Sequence, residues 1–405
     1  MAQAPAGTLD FDPYDHPLQD DPYPTYRRLR DEAPLFHNTE HDFWVMSRHA
    51  DIHQALRSDH AYSNAMGVTL DASAWNEHAH TVMSFLAMDP PEQTRLRKLV
   101  SKGFTPRRVS DLRPQIQKIT DQHLAPCLES GEFDWIADFA GKVPMDVISE
   151  MLGVPESDRD EVRRLADLLV HREHGLRDVP PAGIEASLAL FDYYAGLMRD
   201  KRANPGDDLV SALLHVEDDG DRMSDQEITA FLFLMVVAGN ETTTKLLGNA
   251  AFHLSRDPGQ LERVFAAPGG DLVDTWIEET LRYDTSTQLL ARQLIEDVTL
   301  HDVTAPAGAQ LVMLIGSANH DERVFADPER FDLDRDPAEL AQIMSFGGGR
   351  HYCLGANLAR LEARVVLRAL VARAARIEVD HESSVRFYSA NVRGFAHVPM
   401  KAIAR

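Results

Sequence analysis

The sequence predicts a mainly α-helical fold with a minor β portion. Helical hydrophobic patterns dominate between residues 93 and 255, whereas strand and turn signals gather near the N-terminus and after residue 282. One predicted helix is unusually long, because Ser224 and Glu227 form a capping box and the helical pattern continues until Asp257 and Pro258. At about 1.5 Å per residue this helix would span roughly 50 Å, enough to cross the molecule.

The other elements follow in chain order. The first forty residues are rich in Pro and Asp and lead to a short helix at 26–31 and a strand at 43–46. Residues 64–88 lack a clear period and are predicted to form a long irregular segment, which in compact domains is usually functional or disordered. The later strand signals are at 298–300, 310–315 and 386–399.

Composition limits the function classes. The 405 residues are 44% hydrophobic and 26% charged, without a linker or repeat, which favours a single domain over residues 1–405. A net charge of −23 argues against nucleic acid and anionic membranes as partners. Two cysteines, Cys127 and Cys353, exclude a disulfide framework, and the N-terminus resembles neither a signal peptide nor an anchor. We therefore expect a cytoplasmic protein.

Cys353 lies in a glycine-rich segment, residues 346–355, directly before a predicted helix. Glycines let the backbone pass close to a bulky flat group where a Cβ would clash. The amides and dipole at the start of the following helix favour a thiolate over a thiol. Such a thiolate suits an axial iron ligand; the alternative is a buried structural cysteine in a loop.

The long helix contains an anomaly where its apolar run ends, at residues 238–244. The run from 231 to 238 is apolar on every face and is predicted to be buried on all sides. A mid-helix glycine, Gly239, costs about 1 kcal/mol relative to alanine, and a buried Glu241 costs more unless it has a partner. Thr242 can bond back to the i−4 carbonyl and bend the helix. The segment is therefore either a functional bend or a polar patch where the helix reaches solvent.

These two segments resemble known motifs. Residues 346–355 match Phe-Gly-x-Gly-x-His-x-Cys-x-Gly, which resembles the heme-binding signature of the cytochrome P450 family, and residues 238–243 resemble its oxygen-activation motif. The resemblance implies the cytochrome P450 fold, with the long central helix over the heme. It also implies heme b with Cys353 as its thiolate ligand, surrounded by Phe346, Gly347 and Gly355.

The same resemblance implies roles for further residues. Ala238 and Gly239 would border a groove for dioxygen, Thr242 would donate a hydrogen bond there, and Glu241 would bring in protons. Heme propionates require cations or strong donors. The matched positions are Arg97, Arg292, His351 and Gln93, and most family members have histidine where Gln93 stands.

A structural triad and a substrate pocket are also implied. The triad comprises Glu279, Arg282 and Arg335, with Arg330 as the second candidate for its third member, and Ser286-Thr287 replaces the Ser-Pro that usually follows the pair. The pocket residues are mostly apolar and imply a hydrophobic substrate. They are part of 64–88 together with Leu234, Val237, Ala238, Gln288, Leu289, Asn391 and Val392.

The implied activity is that of a monomeric heme-thiolate monooxygenase acting on a small organic substrate with O₂. Because the sequence carries no flavin or iron–sulfur motif, electrons must come from a ferredoxin or flavodoxin with an NAD(P)H-dependent reductase. Two alternatives are a peroxide-driven peroxygenase and a non-catalytic heme-binding sensor; the intact pair Glu241–Thr242 counts against both. A basic patch on the cysteine side is expected to orient an acidic carrier, and it comprises Lys98, Lys102, Arg107, Arg108, Arg350, Arg360 and Arg364.

Overall fold

The computed structural model describes residues 9–58, 60–170 and 178–405. Within these ranges the α-helices are α1 (His16–Asp20), α2 (Tyr23–Glu32), α3 (His49–Ala55), α4 (His80–Met83), α5 (Glu92–Ser101), α6 (Pro106–Asp111), α7 (Arg113–Ser130), α8 (Val143–Leu152), α9 (Arg159–Val170), α10 (Pro181–Ala203), α11 (Leu209–His215), α12 (Asp225–Ser255), α13 (Pro258–Ala266), α14 (Val273–Tyr283), α15 (Ile315–Ala318), α16 (Pro337–Leu340) and α17 (Ala356–Arg373). The strands are β1 (Leu35–Asn38), β2 (Phe43–Met46), β3 (Tyr62–Ser63), β4 (Glu132–Asp134), β5 (Leu289–Leu294), β6 (Val298–Leu300), β7 (Val303–Ala305), β8 (Gln310–Leu314), β9 (Ala374–Val379), β10 (Val385–Phe387), β11 (Gly394–His397) and β12 (Pro399–Ala404).

The long helix α12 organises the helical body, as the sequence predicts. Ser224 Oγ accepts a hydrogen bond from the Glu227 amide at 3.2 Å, and the Glu227 carboxylate accepts one from the Ser224 amide at 2.7 Å. Both halves of the predicted capping box are therefore present. Helices α8, α10, α14 and α17 pack against α12, and most of the apolar core surrounds it. None of the described helices has the length and apolar content that crossing a membrane requires.

The largest sheet has the strand order β1-β2-β8-β5-β3. Strands β2 and β8 pair in parallel and the other neighbours are antiparallel. The predicted strand at 43–46 coincides with β2, and the one at 310–315 is β8, which ends one residue earlier. Strands β6 and β7 form a hairpin whose turn residues, His301 and Asp302, have φ angles of 50° and 64°.

The segment predicted to be irregular, 64–88, is only partly so. It contains α4 and two short 3₁₀ helices, Ala72–Ala74 and Ser84–Ala87. Helices of three or four residues are too short to leave a hydrophobic period in the sequence. The start of the segment is fixed by Asp89, whose carboxylate accepts hydrogen bonds from the Ser63 hydroxyl and the Asn64 amide at 2.5 and 2.9 Å.

A buried ion network joins α14 to the segment before α16. The Arg282 guanidinium donates to both oxygens of Glu279, at 2.8 and 2.9 Å, and Arg335 Nε donates to the same carboxylate at 2.9 Å. The structure thus brings together the three residues of the implied triad. Arg330, the second candidate, is largely exposed and lies 3.9 Å from Asp332 instead.

Candidate active site

A cavity lies between α12 and the glycine-rich segment that precedes α17. Helix α12 contributes one stripe of residues at helical spacing, namely Phe231, Leu234, Met235, Ala238, Gly239 and Thr242. Leu234 and Met235 are only partly buried and Ala238 is exposed, because all three face this cavity. The prediction that residues 231–238 are buried on all sides is therefore wrong for the cavity-facing side of the helix.

The glycine-rich segment brings the Cys353 sulfur to the opposite side of the cavity. Gly347 and Gly349 have φ angles of 68° and 58°, and a Cβ on Gly349 would lie 2.2 Å from the Leu56 carbonyl oxygen. Only glycine tolerates both the left-handed conformation and that close approach. The turn is closed by the Cys353 amide, which donates to the Phe346 carbonyl at 2.9 Å. The accessible surface of Cys353 belongs to the cavity, whose lining includes this residue.

Opposing effects act on the Cys353 thiol. Burial raises its pKa, while hydrogen bonds from the amides of Gly355 and Ala356 and the charges of Arg97 and Arg360 act in the lowering direction. These amides stand at the start of α17, as the sequence predicts. Arg360 is held in place by both oxygens of Glu278, at 2.6 and 2.8 Å.

Three basic side chains of the cavity lining have hydrogen-bonding capacity that no described residue uses. Among the described residues, the buried Arg292 donates only to its neighbour's carbonyl, Ala291 O, at 2.7 Å, and burial lowers its pKa to about 10. Arg97 Nη1 and His351 Nδ1 have no hydrogen-bond partner among the described residues. Burial and the nearby arginines lower the pKa of His351 to about 3, so that its ring is neutral at pH 7. Unsatisfied buried donors of this kind fit the carboxylates of a bound group.

A heme fits this donor set. One sulfur faces the cavity opposite the α12 stripe, two guanidinium groups with unused donors line the wall, and the backbone passes closely at Gly347, Gly348 and Gly355. Gln93 stands apart from them: its side chain is buried and Nε2 donates to the Arg350 carbonyl at 3.0 Å. The structure therefore places Gln93 against the backbone of the cysteine segment and outside the cavity lining.

Glu241 and Thr242 are adjacent in sequence but open to different spaces. Thr242 lines the cavity and its hydroxyl donates to the Ala238 carbonyl at 2.7 Å, the predicted i−4 bond. Glu241 is on another face of α12, where its carboxylate lies 2.6 Å from Lys245 Nζ. Lys245 is itself held by the Phe395 carbonyl at 3.0 Å. A Cβ on Gly239 would approach Ile148 to 2.7 Å, so glycine lets α12 pack closely on α8.

The space beside Glu241 is a polar pocket. It is bordered by α12, the end of α9 and the start of α8, and its charged or amide residues are Lys142, Arg163, Asp167, Asn240, Glu241 and Lys245. Burial and the negative charge of Glu241 raise the pKa of Asp167 to about 6. Sequence reasoning missed Asp167, since nothing near it in the chain distinguishes it from other acidic helix residues.

The implied substrate pocket is matched in part. Leu234 and Ala238 line the cavity, whereas the described lining omits Val237, Gln288, Leu289, Asn391 and Val392. Gln288 instead donates to the Thr285 carbonyl, and Leu289 packs in a separate apolar cluster. Thr287 and Leu290 line the cavity in their place. Since strand side chains alternate between faces, an assignment that is one residue out exchanges the two faces.

Two signals could have corrected that assignment. Leu290 and Arg292 are two apart on β5 and share a face, so the placement of Arg292 in the cavity already implied Leu290. Glu362 is also in the lining and was missed, although it lies two turns into α17. It is buried, Oε2 has no hydrogen-bond partner among the described residues, and burial raises its pKa well above the ordinary value.

The predicted basic patch is largely neutralised. Lys98 and Lys102 both pair with Asp218, Arg360 pairs with Glu278, and Arg364 pairs with Asp274. Arg107 and Arg108 on α6 are exposed, and neither has an ion-pair partner in the described part of the chain. The expectation of a broad positive surface thus reduces to these two side chains.

Comparisons with known proteins agree with this geometry. A sequence model of the family described as Cytochrome P450 matches residues 271–399. Cytochrome P450 123 of Mycobacterium tuberculosis is 55% identical over 98% of both chains.

Solved structures match as well. Cytochrome P450 CYP109Q5 from Chondromyces apiculatus superposes with a TM-score of 0.88 at 32% identity, covering 98% of this chain and 99% of that one. CYP109E1 from Bacillus megaterium in complex with corticosterone gives 0.84 at 31% identity, covering 95% and 98%. The chain therefore belongs to the cytochrome P450 family of heme monooxygenases, whose heme is bound through a cysteine thiolate.

Proposed function

We propose that this protein inserts one oxygen atom from O₂ into a small, mostly hydrophobic organic substrate. The observation that carries the proposal is that the Cys353 sulfur, the unsatisfied donors of Arg97 and Arg292, and Thr242 all border one cavity. When bound there, heme supplies the binding and reductive activation of O₂. The protein residues position the group, keep its surroundings apolar and move protons.

The side of the cavity formed by the cysteine segment would hold the heme. Cys353 would supply the thiolate, and the close backbone of Gly347 and Gly355 leaves room for a flat ring beside Phe346. Arg97, Arg292 and His351 would bind the propionates with the hydrogen-bonding groups that the described residues leave unused. Gln93 acts indirectly, by holding the carbonyl of Arg350.

Proton delivery uses both faces of α12. The Thr242 hydroxyl lies beside the cavity. There it can donate a proton to the reacting O₂ and be reprotonated afterwards. Glu241 takes protons from the polar pocket that Asp167, Asn240 and Lys142 also line. Because Lys245 holds the Glu241 carboxylate in that pocket, transfer to Thr242 requires Glu241 to leave Lys245 or a water to bridge the two residues.

The substrate contacts an apolar wall with a few hydroxyl groups. The apolar side chains are Leu86, Leu234, Met235 and Leu290, and the hydroxyls belong to Thr285, Ser286 and Thr287. Such a wall suits a hydrophobic molecule that carries a few polar groups. The steroid bound by CYP109E1 has this character and is the first compound class to examine.

Electrons come from a separate ferredoxin or flavodoxin with its NAD(P)H-dependent reductase. The exposed guanidinium groups of Arg107 and Arg108 lie on α6, which packs against α17, the helix that follows Cys353. They provide a local positive charge on a protein with a net charge of −23. We further propose that the enzyme works in the cytoplasm as a single-domain monomer.

The test is a titration of the heme-loaded protein with corticosterone, followed by turnover with a surrogate ferredoxin and reductase. We expect a shift of the iron spin state and NADPH consumption that matches the hydroxylated product formed. Turnover driven by hydrogen peroxide but not by NADPH would favour a peroxygenase. If a wider set of hydrophobic compounds bound without any turnover, the sensor alternative would replace the proposal.

A further inference from the structure

A row of polar contacts joins α12 to the segment that follows α14. On α12, Thr242, Asn249 and His253 are spaced by seven and four residues and therefore share one face. The Thr242 carbonyl accepts a hydrogen bond from Ser286 Oγ at 2.8 Å, and Asn249 Nδ2 donates to the Asp284 carbonyl at 2.7 Å. His253 Nε2 lies 2.7 Å from the Asp284 carboxylate.

The facing segment is rigidly anchored through Asp284. Its buried carboxylate also accepts hydrogen bonds from Tyr23, Arg386 and Arg393, at 2.8, 3.1 and 2.7 Å. Burial alone would raise the pKa of Asp284, but Arg393, Arg386 and His253 hold it well below its ordinary value. A buried carboxylate with four partners has little freedom to move, because each displacement leaves a charge unpaired.

Ser286 is tied to the same anchor. Its carbonyl accepts the amide of Arg393 at 2.8 Å, and two residues later the Gln288 amide donates to the Asn391 carbonyl at 2.9 Å. Ser286 itself is buried and borders the cavity. The Ser286 hydroxyl that reaches α12 therefore projects from a segment that is fixed on both sides, at Asp284 and at Gln288, and not from a free loop.

Thr242 makes two hydrogen bonds, one through its carbonyl and one through its hydroxyl. Its carbonyl accepts from Ser286, while its own hydroxyl donates to the Ala238 carbonyl at 2.7 Å. A helix carbonyl with a donor from outside is drawn from the helix axis, and a threonine that bonds to i−4 bends the helix at the same turn. Both hydrogen bonds therefore act on the turn of α12 that carries the Thr242 side chain.

We propose that Ser286 is a positioning residue for Thr242: its hydrogen bond to the Thr242 carbonyl fixes the place of the Thr242 hydroxyl over the cavity. The inference rests on the proposed role of Thr242. It gives the buried cluster around Asp284 a function as the support of the oxygen-activation segment. In the proposed reaction Ser286 only borders the substrate wall and transfers no proton.

The test uses carbon monoxide as the probe in the reduced, heme-loaded protein. The C–O stretching band in the infrared responds to hydroxyl dipoles beside the bound gas and requires no turnover. Because the Ser286 hydroxyl also borders the cavity, Ser286→Ala is measured alone and in the Thr242→Val background, where a positioning role predicts no further change. We expect Ser286→Ala to shift and broaden the band in the same direction as Thr242→Val. Ser286→Thr, which keeps the hydroxyl, should restore the single wild-type band.

A matched control is Ser317→Ala. Ser317 is buried and donates to the Ser47 carbonyl, also at 2.8 Å, but lies outside the cavity lining. It should lower the melting temperature at least as much as Ser286→Ala, since Ser317 Oγ also accepts a hydrogen bond from Arg30 at 3.1 Å, and it should leave the C–O band unchanged. A band unaffected by Ser286→Ala but shifted by Thr242→Val would overturn the positioning role alone. If Thr242→Val itself left the band unchanged, the proposed role of Thr242 would fail as well.

Discussion

Two groups of arginines in this protein, all of them at least partly buried, differ in how completely they are paired. Arg282 and Arg335 share the Glu279 carboxylate through three hydrogen bonds of 2.8 to 2.9 Å. Arg97 and Arg292 border the cavity, where Arg97 Nη1 lacks a partner among the described residues and Arg292 reaches only the carbonyl next to it. The first group is complete without a ligand, and the second is not.

This difference in pairing distinguishes arginines that stabilise the fold from arginines that bind a ligand. A buried charge is costly unless it is paired, so the unpaired arginines destabilise the heme-free protein and are offset only when an anion binds. The paired arginines stabilise the fold whether or not the cavity is filled. The same substitution should therefore have opposite effects on the two groups, and the following changes test that expectation from the largest effect to the smallest.

The largest effect is expected at Cys353, whose sulfur borders the cavity. Cys353→His should abolish the strongly red-shifted Soret band of the reduced protein with carbon monoxide, because that band requires a thiolate ligand. Absorption spectra of the purified variant measure this directly. Cys127→Ser is the control, since Cys127 is buried in the core and away from the cavity lining, and its band should be normal. A normal band in Cys353→His would refute the ligand assignment.

The next effect tests the complete group. Glu279→Gln removes the charge that Arg282 and Arg335 share; Arg282 then has no ion-pair partner among the described residues, and Arg335 has only Glu339. We expect a loss of about 3–5 kcal/mol in the free energy of unfolding, with or without heme. Urea unfolding of both forms gives the values. If the loss appeared only in the heme-bound form, the triad would belong to the heme site instead of to the fold.

A smaller effect of opposite sign is expected in the incomplete group. Arg292→Leu removes a buried guanidinium whose pKa burial lowers to about 10, so the heme-free protein should gain on the order of 1 kcal/mol. The same variant should lose heme faster, because one charge-assisted bond worth about 1.5–3 kcal/mol is gone. Arg335→Leu, the matched change in the paired group, should destabilise both forms. A heme-free Arg292→Leu protein less stable than the wild type would break the comparison.

The sequence predicts the local patterns behind this contrast but not the pairing of the buried charges. The capping box at Ser224, the strand at 43–46 and the cysteine segment are local patterns, and each appears where the sequence predicts it. Whether a buried charge has a partner depends on contacts across the chain: Glu279 meets Arg335 56 residues later, while Gln93 meets a carbonyl 257 residues away.

The prediction of the substrate-pocket residues was wrong in part for a related reason. Thr287 and Leu290 rather than Gln288 and Leu289 face the cavity because the pairing of β5 with β8 sets the register of that strand. The chain near residue 288 contains no turn or period that would fix this register alone. Likewise, Glu241 follows from its motif, but its separation from Thr242 into a different pocket depends on Lys245 and on the neighbouring helices.

The smallest effect extends the comparison to the surface. Arg107 and Arg108 are exposed and without an ion-pair partner among the described residues, whereas Lys98 and Lys102 pair with Asp218. Arg107→Glu/Arg108→Glu should slow electron transfer from an acidic ferredoxin on the order of tenfold at low salt, because it reverses the local field that steers the carrier. The difference should shrink as salt is raised above about 0.1 M, where charges are screened beyond about 10 Å.

Stopped-flow reduction at several ionic strengths measures that difference. The matched control is Arg27→Glu/Arg28→Glu, an equal charge change on α2, which packs against α15. If the electrostatic steering is local to α6, this control should alter the rate much less, since a change in net charge alone is the same for both variants. Equal slowing by both variants would mean that overall charge, and not the Arg107–Arg108 site, governs the encounter. A rate that changes neither with salt nor in either variant would mean that the carrier docks elsewhere or by apolar contacts. The surface arginines Arg107 and Arg108 would then have no functional role comparable to that of Arg97 and Arg292.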